Sequence, residues 1–352
     1  MKLLVITQKV DQNDGYFGFF HDWLLETAKQ SEMLTVISLE VGSYDLPKNV
    51  KVISLGKENG RSLIRYVTRF LSTCLKYRND YTHVFAHMSP LYVILGAPIW
   101  KLLGKPIGLW YVHRNVDLKL QIAEKLTDVV FTATPESFRI ESKKRRFLGQ
   151  AIDVDKFKNN LSITLPEQPF KMVSIGRITP IKNLDTLIRA SKILKDRGYQ
   201  VEVELVGASV TDEDKTYDAS LHALVKELEV EREIKFIGSV PNSEVAKFYW
   251  SNHLSLNLCP TGGMDKTILE SMAASTPVLV SNEAYGDYFG KYANELIFKL
   301  KDPADCADKI EGYIKNQNKG ELKEFLISRV KERSVLSVLI GQIISILEGV
   351  KR

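Results

Sequence analysis

The chain has 352 residues, long for one hydrophobic core and comfortable for two domains, and its 44% hydrophobic and 26% charged content is that of an ordinary globular protein. Its 48 Lys and Arg against 43 Asp and Glu leave a net charge of +5, which suits anionic partners and, without a binding motif, is too mild for nucleic acid. Three cysteines without metal spacing, no 18-residue apolar stretch and a first apolar run too short for a signal peptide argue against a disulfide scaffold and a spanning helix, and for reduced thiols in the cytoplasm.

Apolar strand-like runs alternate with helical stretches along the whole chain, the pattern of parallel α/β sheets. In the first half, strands are predicted at Leu3–Ile6, Thr35–Leu39, Val84–Phe85, Ile107–Val112 and Val129–Thr132. Helices are predicted at Phe20–Lys29, Ser62–Tyr77, Leu91–Leu103 and Ser137–Arg146. The loop after the first strand runs from Lys9 to Phe19 through Asp14, Gly15 and Gly18. It fits a binding loop at the carboxyl end of a strand, or a mobile surface loop. His87 follows one strand and His113 ends another, and each fits either a ligand contact or a satisfied structural histidine. The histidines are not spaced as a metal cluster. The helix over 62–77 places Arg61, Arg65 and Arg69 four apart, opposite Leu63, Ile64, Val67, Phe70 and Leu71. That pattern fits a core-packed surface helix or a helix lying on an anionic bilayer.

Leu161–Pro169 reads as a connector, stiffened by its prolines. The second half restarts with strands at Lys171–Ile175, Val201–Val206, Ile234–Ile237, Leu254–Asn257 and Val278–Val280, and the chain closes with an apolar helix at Val335–Leu347. Two loops here carry phosphate chemistry. The strand ending at Ile175 runs into Gly176 and Arg177, with Lys182 and Asn183 just beyond. Two cations at the carboxyl end of a strand lie where open α/β sheets bind ligands. The second loop, Thr261-Gly262-Gly263-Met264, leads to a helix beginning near Asp265. That helix would aim free N–H groups at an anion, with Glu270 on a face that looks back to the turn. An ordinary loop–helix–strand connection is the alternative for each loop taken alone.

Together these segments resemble the family 4 glycosyltransferases of the GT-B fold. The resemblance rests on Gly176-Arg177, on Lys182-Asn183, and on Gly263 through Glu270-Ser271-Met272-Ala273 and Thr276-Pro277-Val278. Val206-Gly207, Phe236 through Val240, and Gln150 through Phe157 extend it. It covers most of residues 150–290 and, more weakly, the amino-terminal half. It implies two Rossmann-like domains facing a central cleft: 1–165 for the acceptor and 166–332 for the donor, with 333–352 forming a helix that crosses back to the first domain. It implies a retaining, metal-independent hexosyl transfer from a nucleoside diphosphate sugar to a hydroxyl of a glycan or lipid-linked acceptor, without a cofactor. Residues implied at the donor are Gly176, Arg177, Lys182, Gly207, Val240, Gly262, Gly263, Met264, Asp265, Lys266, Thr267 and Glu270. Those implied at the acceptor are Asp14, Gly15, Gly18 and His87, with His113, Arg177, Lys182 and Asp265 nearest the chemistry. Three positions depart: Gly262 stands where the family's first glutamate would fall, Asp265 where its second glycine would, and Lys266 at a usually apolar position. Asp265 could supply a carboxylate nearby and Lys266 a further phosphate contact. A sugar-nucleotide epimerase of the same fold and a non-catalytic binding protein remain as alternatives. The implied location is the cytoplasm, with or without peripheral contact at the inner face of the membrane.

Overall fold

The structure, a computed structural model, describes residues 1–158 and 166–350. These residues form two compact units: Met1–Gln150 together with the segment from Leu336 onward, and Ala151–Val335. The predicted connector falls largely on residues 159–165, outside the described residues, and so does the expected 165/166 boundary.

In chain order the first unit contains β1 (Lys2–Val10), α1 (Phe19–Lys29), β2 (Met33–Val41), β3 (Val50–Ser54), α2 (Leu63–Lys76), β4 (His83–His87), α3 (Pro90–Leu102), β5 (Ile107–Trp110), α4 (Leu118–Leu126), β6 (Val129–Thr132) and β7 (Arg145–Phe147). Among the described residues its seven strands form one parallel sheet in the order β3-β2-β1-β4-β5-β6-β7. The central strands are apolar on both faces, as a sheet covered by helices on both sides requires. Leu3, Leu4, Val5 and Ile6 are all essentially inaccessible. The helix Leu336–Glu348 belongs to this unit and packs on α1. Its Leu347 comes so close to β5 that a Cβ on Gly108 would lie 2.8 Å from Leu347 Cδ2.

The helix expected over Ser137–Arg146 does not form. Pro135–Ser137 makes one short turn, Phe138 enters the core, and Arg145–Phe147 becomes the last strand of the sheet. The four consecutive cations from Lys143 to Arg146 give no apolar stripe, and β6 captures the chain by backbone pairing instead. The amide of Val130 donates to the Lys144 carbonyl at 3.0 Å. Two elements were not expected. β3 is a half-exposed edge strand without clean alternation. α4 is announced by Asp117, whose carboxylate accepts from the Leu120 amide at 2.8 Å. Helix α2 buries Tyr66, Phe70 and Cys74 in the core, while Leu63 and Ile64 in its first turn are 79% and 80% exposed. Among the described residues no helix is long and apolar enough to cross a membrane.

The second unit contains β8 (Phe170–Ile175), α5 (Leu184–Asp196), β9 (Val201–Val206), α6 (Asp212–Glu227), β10 (Ile234–Gly238), α7 (Val245–Trp250), β11 (Leu254–Asn257), α8 (Lys266–Ala273) and β12 (Val278–Val280). The short helices Gly286–Phe289 and Ala293–Leu296 and the longer ones Pro303–Lys315 and Lys319–Arg333 follow. The five strands pair in parallel in the order β10-β9-β8-β11-β12. The chain therefore winds one way from β8 through β9 to β10, then jumps back to lay β11 on the other side of β8. At such a reversal the loops leaving the two central strands part and open a crevice at their carboxyl ends.

Candidate functional site

The crevice of the second unit is shaped first by backbone. The Gly176 amide, just past β8, donates to the Val206 carbonyl at 2.9 Å, and the Gly207 amide, just past β9, donates to the Gly238 carbonyl at 2.8 Å. These bonds draw the strand ends together until a Cβ on Gly207 would sit 1.9 Å from the Gly176 carbonyl oxygen, at a φ of +146°. Only glycine fits there, and the gap it leaves keeps the floor of the crevice open.

Lys182 rises from the loop after β8. Asn183 holds that loop by adopting φ +45° and donating its amide to the Leu258 carbonyl at 3.0 Å, next to the end of β11. Lys182 Nζ then meets Asp265 Oδ2 at 2.8 Å, and Asn257 Nδ2, at the end of β11, donates to the same oxygen at 2.8 Å. The second Asn257 amide hydrogen reaches Thr267 Oγ1 at 3.1 Å, and its own oxygen accepts from the Cys259 amide at 3.2 Å. Burial would push the Asp265 carboxyl up, but the Lys182 charge and the hydrogen bonds from Lys182, Asn257 and Cys259 together outweigh it and hold the group at about 2. Burial likewise opposes the Lys182 charge, and the charges and hydrogen bonds of Asp265 and Cys259 together override it, so the ammonium is kept well above its ordinary range. The same carboxylate thus stays charged, and so does its partner.

Asp265 stands at the N-cap position of α8, yet its side chain accepts nothing from its own helix. The loop before it is tied from behind. Asn282 Nδ2 donates to the Gly263 carbonyl at 2.8 Å, and the Tyr285 hydroxyl donates to the Asp265 carbonyl at 3.1 Å. Gly262 is buried with a φ of +156°, a backbone conformation that favours glycine and resists the glutamate found at this place in the resembling motif. Further along α8, Glu270 is 7% exposed and accepts from the Tyr249 hydroxyl at 3.2 Å. Burial raises its carboxyl to about 7, against the opposing pull of the Lys266 charge, the Tyr249 bond and the Lys156 charge. Lys156 is itself anchored, donating to Asn242 Oδ1 at 2.6 Å.

Arg177 leans towards α6, where its Nε lies 3.7 Å from Asp214 Oδ2. Asp214 is buried, which would raise its carboxyl, but the Thr211 amide, the Thr179 and Thr211 hydroxyls and the Val210 amide hold it at about 2. A permanently charged carboxylate therefore orients the guanidinium. Val240 and Met264 are half-buried against the core of the unit. The structure thus brings Lys182, Asp265 and Thr267 into one cluster around Asn257, with Gly176 against the Lys182 side chain and Glu270 on the same helix as Thr267. Sequence reasoning did not single out Asn257, Tyr249, Tyr285 or Asp214. A polar side chain ending an apolar strand was the available signal for Asn257, whereas nothing local marks the two tyrosines.

The residues expected at the acceptor lie in the first unit. Asp14 accepts from the amides of Tyr16 and Phe17 at 2.8 and 2.6 Å and pairs with Lys9 at 2.7 Å, fixing the loop that carries Gly15 and leads into α1. Gly18 has φ −55° and donates to the Asp14 carbonyl at 2.9 Å. His87 is buried at the end of β4, stacked on Phe20 at 4.0 Å between ring centroids. His113 is exposed, its Nδ1 accepting from the Asn115 amide at 3.1 Å. Among the described residues no group of three or more His, Cys, Asp or Glu side chains could hold a metal ion.

The sequence model of one family, described as Glycosyl transferases group 1, matches residues 155–333. The amylovoran biosynthesis glycosyltransferase AmsK of Erwinia amylovora is 26% identical over 151 residues, 41% of this chain, and the match covers 35% of that relative's length. Among solved structures, Anabaena HepE in complex with UDP is 18% identical, covers 99% of this chain and 100% of its own, and has a TM-score of 0.77. Sucrose-phosphate synthase from Thermosynechococcus elongatus is 14% identical over 99% of this chain and 98% of its own, with a TM-score of 0.79. At these identities the structural likeness speaks for the fold alone.

Proposed function

The chain belongs to the group 1 glycosyl transferase family and has the GT-B fold, and from that premise we propose that it moves a hexose from a UDP-sugar to a hydroxyl of a glycan or lipid-linked glycan. The observation that carries this reading is the approach of Lys182 Nζ to the first turn of α8 at the carboxyl ends of β8 and β11. Glu270 lies about one turn further along the same helix. A diphosphate on Lys182, Arg177 and the first amides of α8 would leave the ribose beside Glu270, whose two oxygens accept from both hydroxyls. The uracil is proposed because the HepE structures of this fold hold UDP and UDP-glucose.

In the proposed retaining step the bond from the anomeric carbon to the β-phosphate oxygen breaks. The acceptor oxygen bonds to the same face of that carbon, and the acceptor proton passes to the departing phosphate. Lys182 and Arg177 stabilise the charge gathering on the diphosphate. His113 is assigned to the reacting sugar, and Asp14, Gly15, Gly18 and His87 to the acceptor. The absence of a side chain at Gly262 favours one second reading, a protein that binds the nucleotide without transferring the sugar. A panel of UDP-, GDP- and ADP-sugars separates the outcomes. A UDP-sugar at about one hundred times its dissociation constant should stabilise the fold by about 2.7 kcal/mol, and UDP should be released on adding an acceptor. Stabilisation without release selects the second reading, and no stabilisation by any sugar nucleotide overturns both.

A peripheral contact with an anionic bilayer is part of the proposal for the first unit. It rests on Leu63 and Ile64, both exposed in the first turn of α2, beside the exposed Arg61 and Arg69. Sedimentation with vesicles containing anionic lipid should carry the protein down, and less of it after Ile64→Asp. Equal recovery of both proteins in the supernatant removes this part of the reading.

A further inference from the structure

The donor site already contains an anion of its own. Asp265 Oδ2 takes a bond from Lys182, the cation proposed for the diphosphate, and another from Asn257, both at 2.8 Å. It cannot withdraw far. Its backbone carbonyl is held by the Tyr285 hydroxyl, the loop before it by Asn282, and the chain after it enters α8 at once. The resembling motif has a glycine at this position, so the charge is a departure from that motif. Resting on the donor reading above, we propose that Asp265 is a built-in counter-anion that weights the site against free nucleoside diphosphate and so favours the sugar-bearing donor over the spent product.

The physical reason is a difference in charge. A nucleoside diphosphate sugar carries about −2, because both its phosphates are esterified. The free diphosphate carries about −3 near pH 7.5, because its terminal phosphate loses a second proton near pH 6. Both ligands compete with Asp265 for Lys182, but only the product adds a further negative charge beside a carboxylate that stays ionised. Like charges a few ångströms apart in a partly desolvated crevice repel strongly enough to change affinity on the order of tenfold. In the wild type this repulsion speeds departure of the product after transfer. It leaves donor binding less affected, because the donor lacks the extra charge.

The test compares the wild type with Asp265→Asn by calorimetric titration of UDP and of UDP-glucose at pH 7.5, with GDP/GDP-mannose and ADP/ADP-glucose as further pairs. Asparagine keeps the shape and the bond from Lys182 while removing the charge. Both ligands of the pair that binds should tighten, and the free diphosphate should gain on the order of tenfold more than the sugar nucleotide. A residue that merely positions Lys182 would show the opposite sign, with weaker binding of both. If the diphosphate gains no more than its sugar nucleotide, the proposal falls and the donor reading stands. If no nucleotide of any pair binds the folded wild type or the variant, the donor reading falls and takes the proposal with it. Should Asp265→Asn fail to fold, Asp265→Gly reads the same ratio, since the backbone there, at φ −74° and ψ 128°, is open to any residue.

Discussion

Replacing Lys182 with alanine is expected to slow sugar transfer by about 10²–10³-fold, the cost of losing one preorganised group that meets charge developing on a leaving diphosphate. The expectation follows from how the lysine is held. Its loop is pinned to the end of β11 through Asn183, and its Nζ is fixed at 2.8 Å from Asp265, so little reorganisation is needed when the charge appears. A second effect accompanies the first. The substitution leaves Asp265 with Asn257 but without its cation. Removing one partner of a fully buried pair costs about 3–5 kcal/mol. The Asp265 side chain is 36% exposed, so water takes up part of the charge and a loss of about 1–2 kcal/mol is expected. Adding Asp265→Asn to Lys182→Ala should recover much of that stability in urea melts and none of the transfer rate. Transfer at the parent rate by the alanine variant would remove Lys182 from the diphosphate.

Changing Glu270 to glutamine is expected to alter both ligand recognition and the pH dependence of stability. The carboxyl stands at about 7 in the folded chain against an ordinary value of 4.5. A carboxyl raised on folding binds more protons in the native state than in the unfolded chain. Its contribution is therefore whole below about pH 4.5 and is lost as pH climbs through about 7. At about 1.4 kcal/mol for each unit, the wild type should lose about 3 kcal/mol across that window relative to Glu270→Gln, which does not titrate. Thermal or urea melts of the two proteins from pH 4 to pH 8 read the difference. Parallel curves would mean that Glu270 is not buried as described. Ribose hydroxyls donate to the ionised form and favour it, so nucleotide binding near pH 6.5 should release protons, and the glutamine variant should release fewer. Glu270→Gln should also weaken UDP more than 2′-deoxy-UDP. Equal weakening of the two would place the 2′-hydroxyl elsewhere.

Both substitutions probe positions that were legible in the sequence, and their surroundings mark where that legibility stopped. Lys182 and Glu270 could be found because each sits at a fixed offset from a strand end or a helix start. The partner of each could not. Tyr249 lies 21 residues before Glu270 and belongs to a different helix. Nothing in the local pattern of α7 distinguishes a tyrosine that serves the core from one whose hydroxyl meets a buried carboxylate. From sequence Asp265 was a carboxylate near the transferred sugar, whereas the structure turns it onto Lys182 across 83 residues of chain.

By itself the sequence determined the alternation of strands and helices, the division into two α/β halves and the glycine-bearing loops that leave β8 and β11. Each of these is written in runs of neighbouring residues, through apolar period and turn chemistry. Only the tertiary structure decided that β11 lies beside β8, that Arg145–Phe147 is a strand rather than the end of a helix, and that Asn257, Lys182 and Asp265 share one oxygen. Those outcomes depend on which strand edge pairs with which, and backbone hydrogen bonds carry no side-chain label by which the pairing could be read in advance.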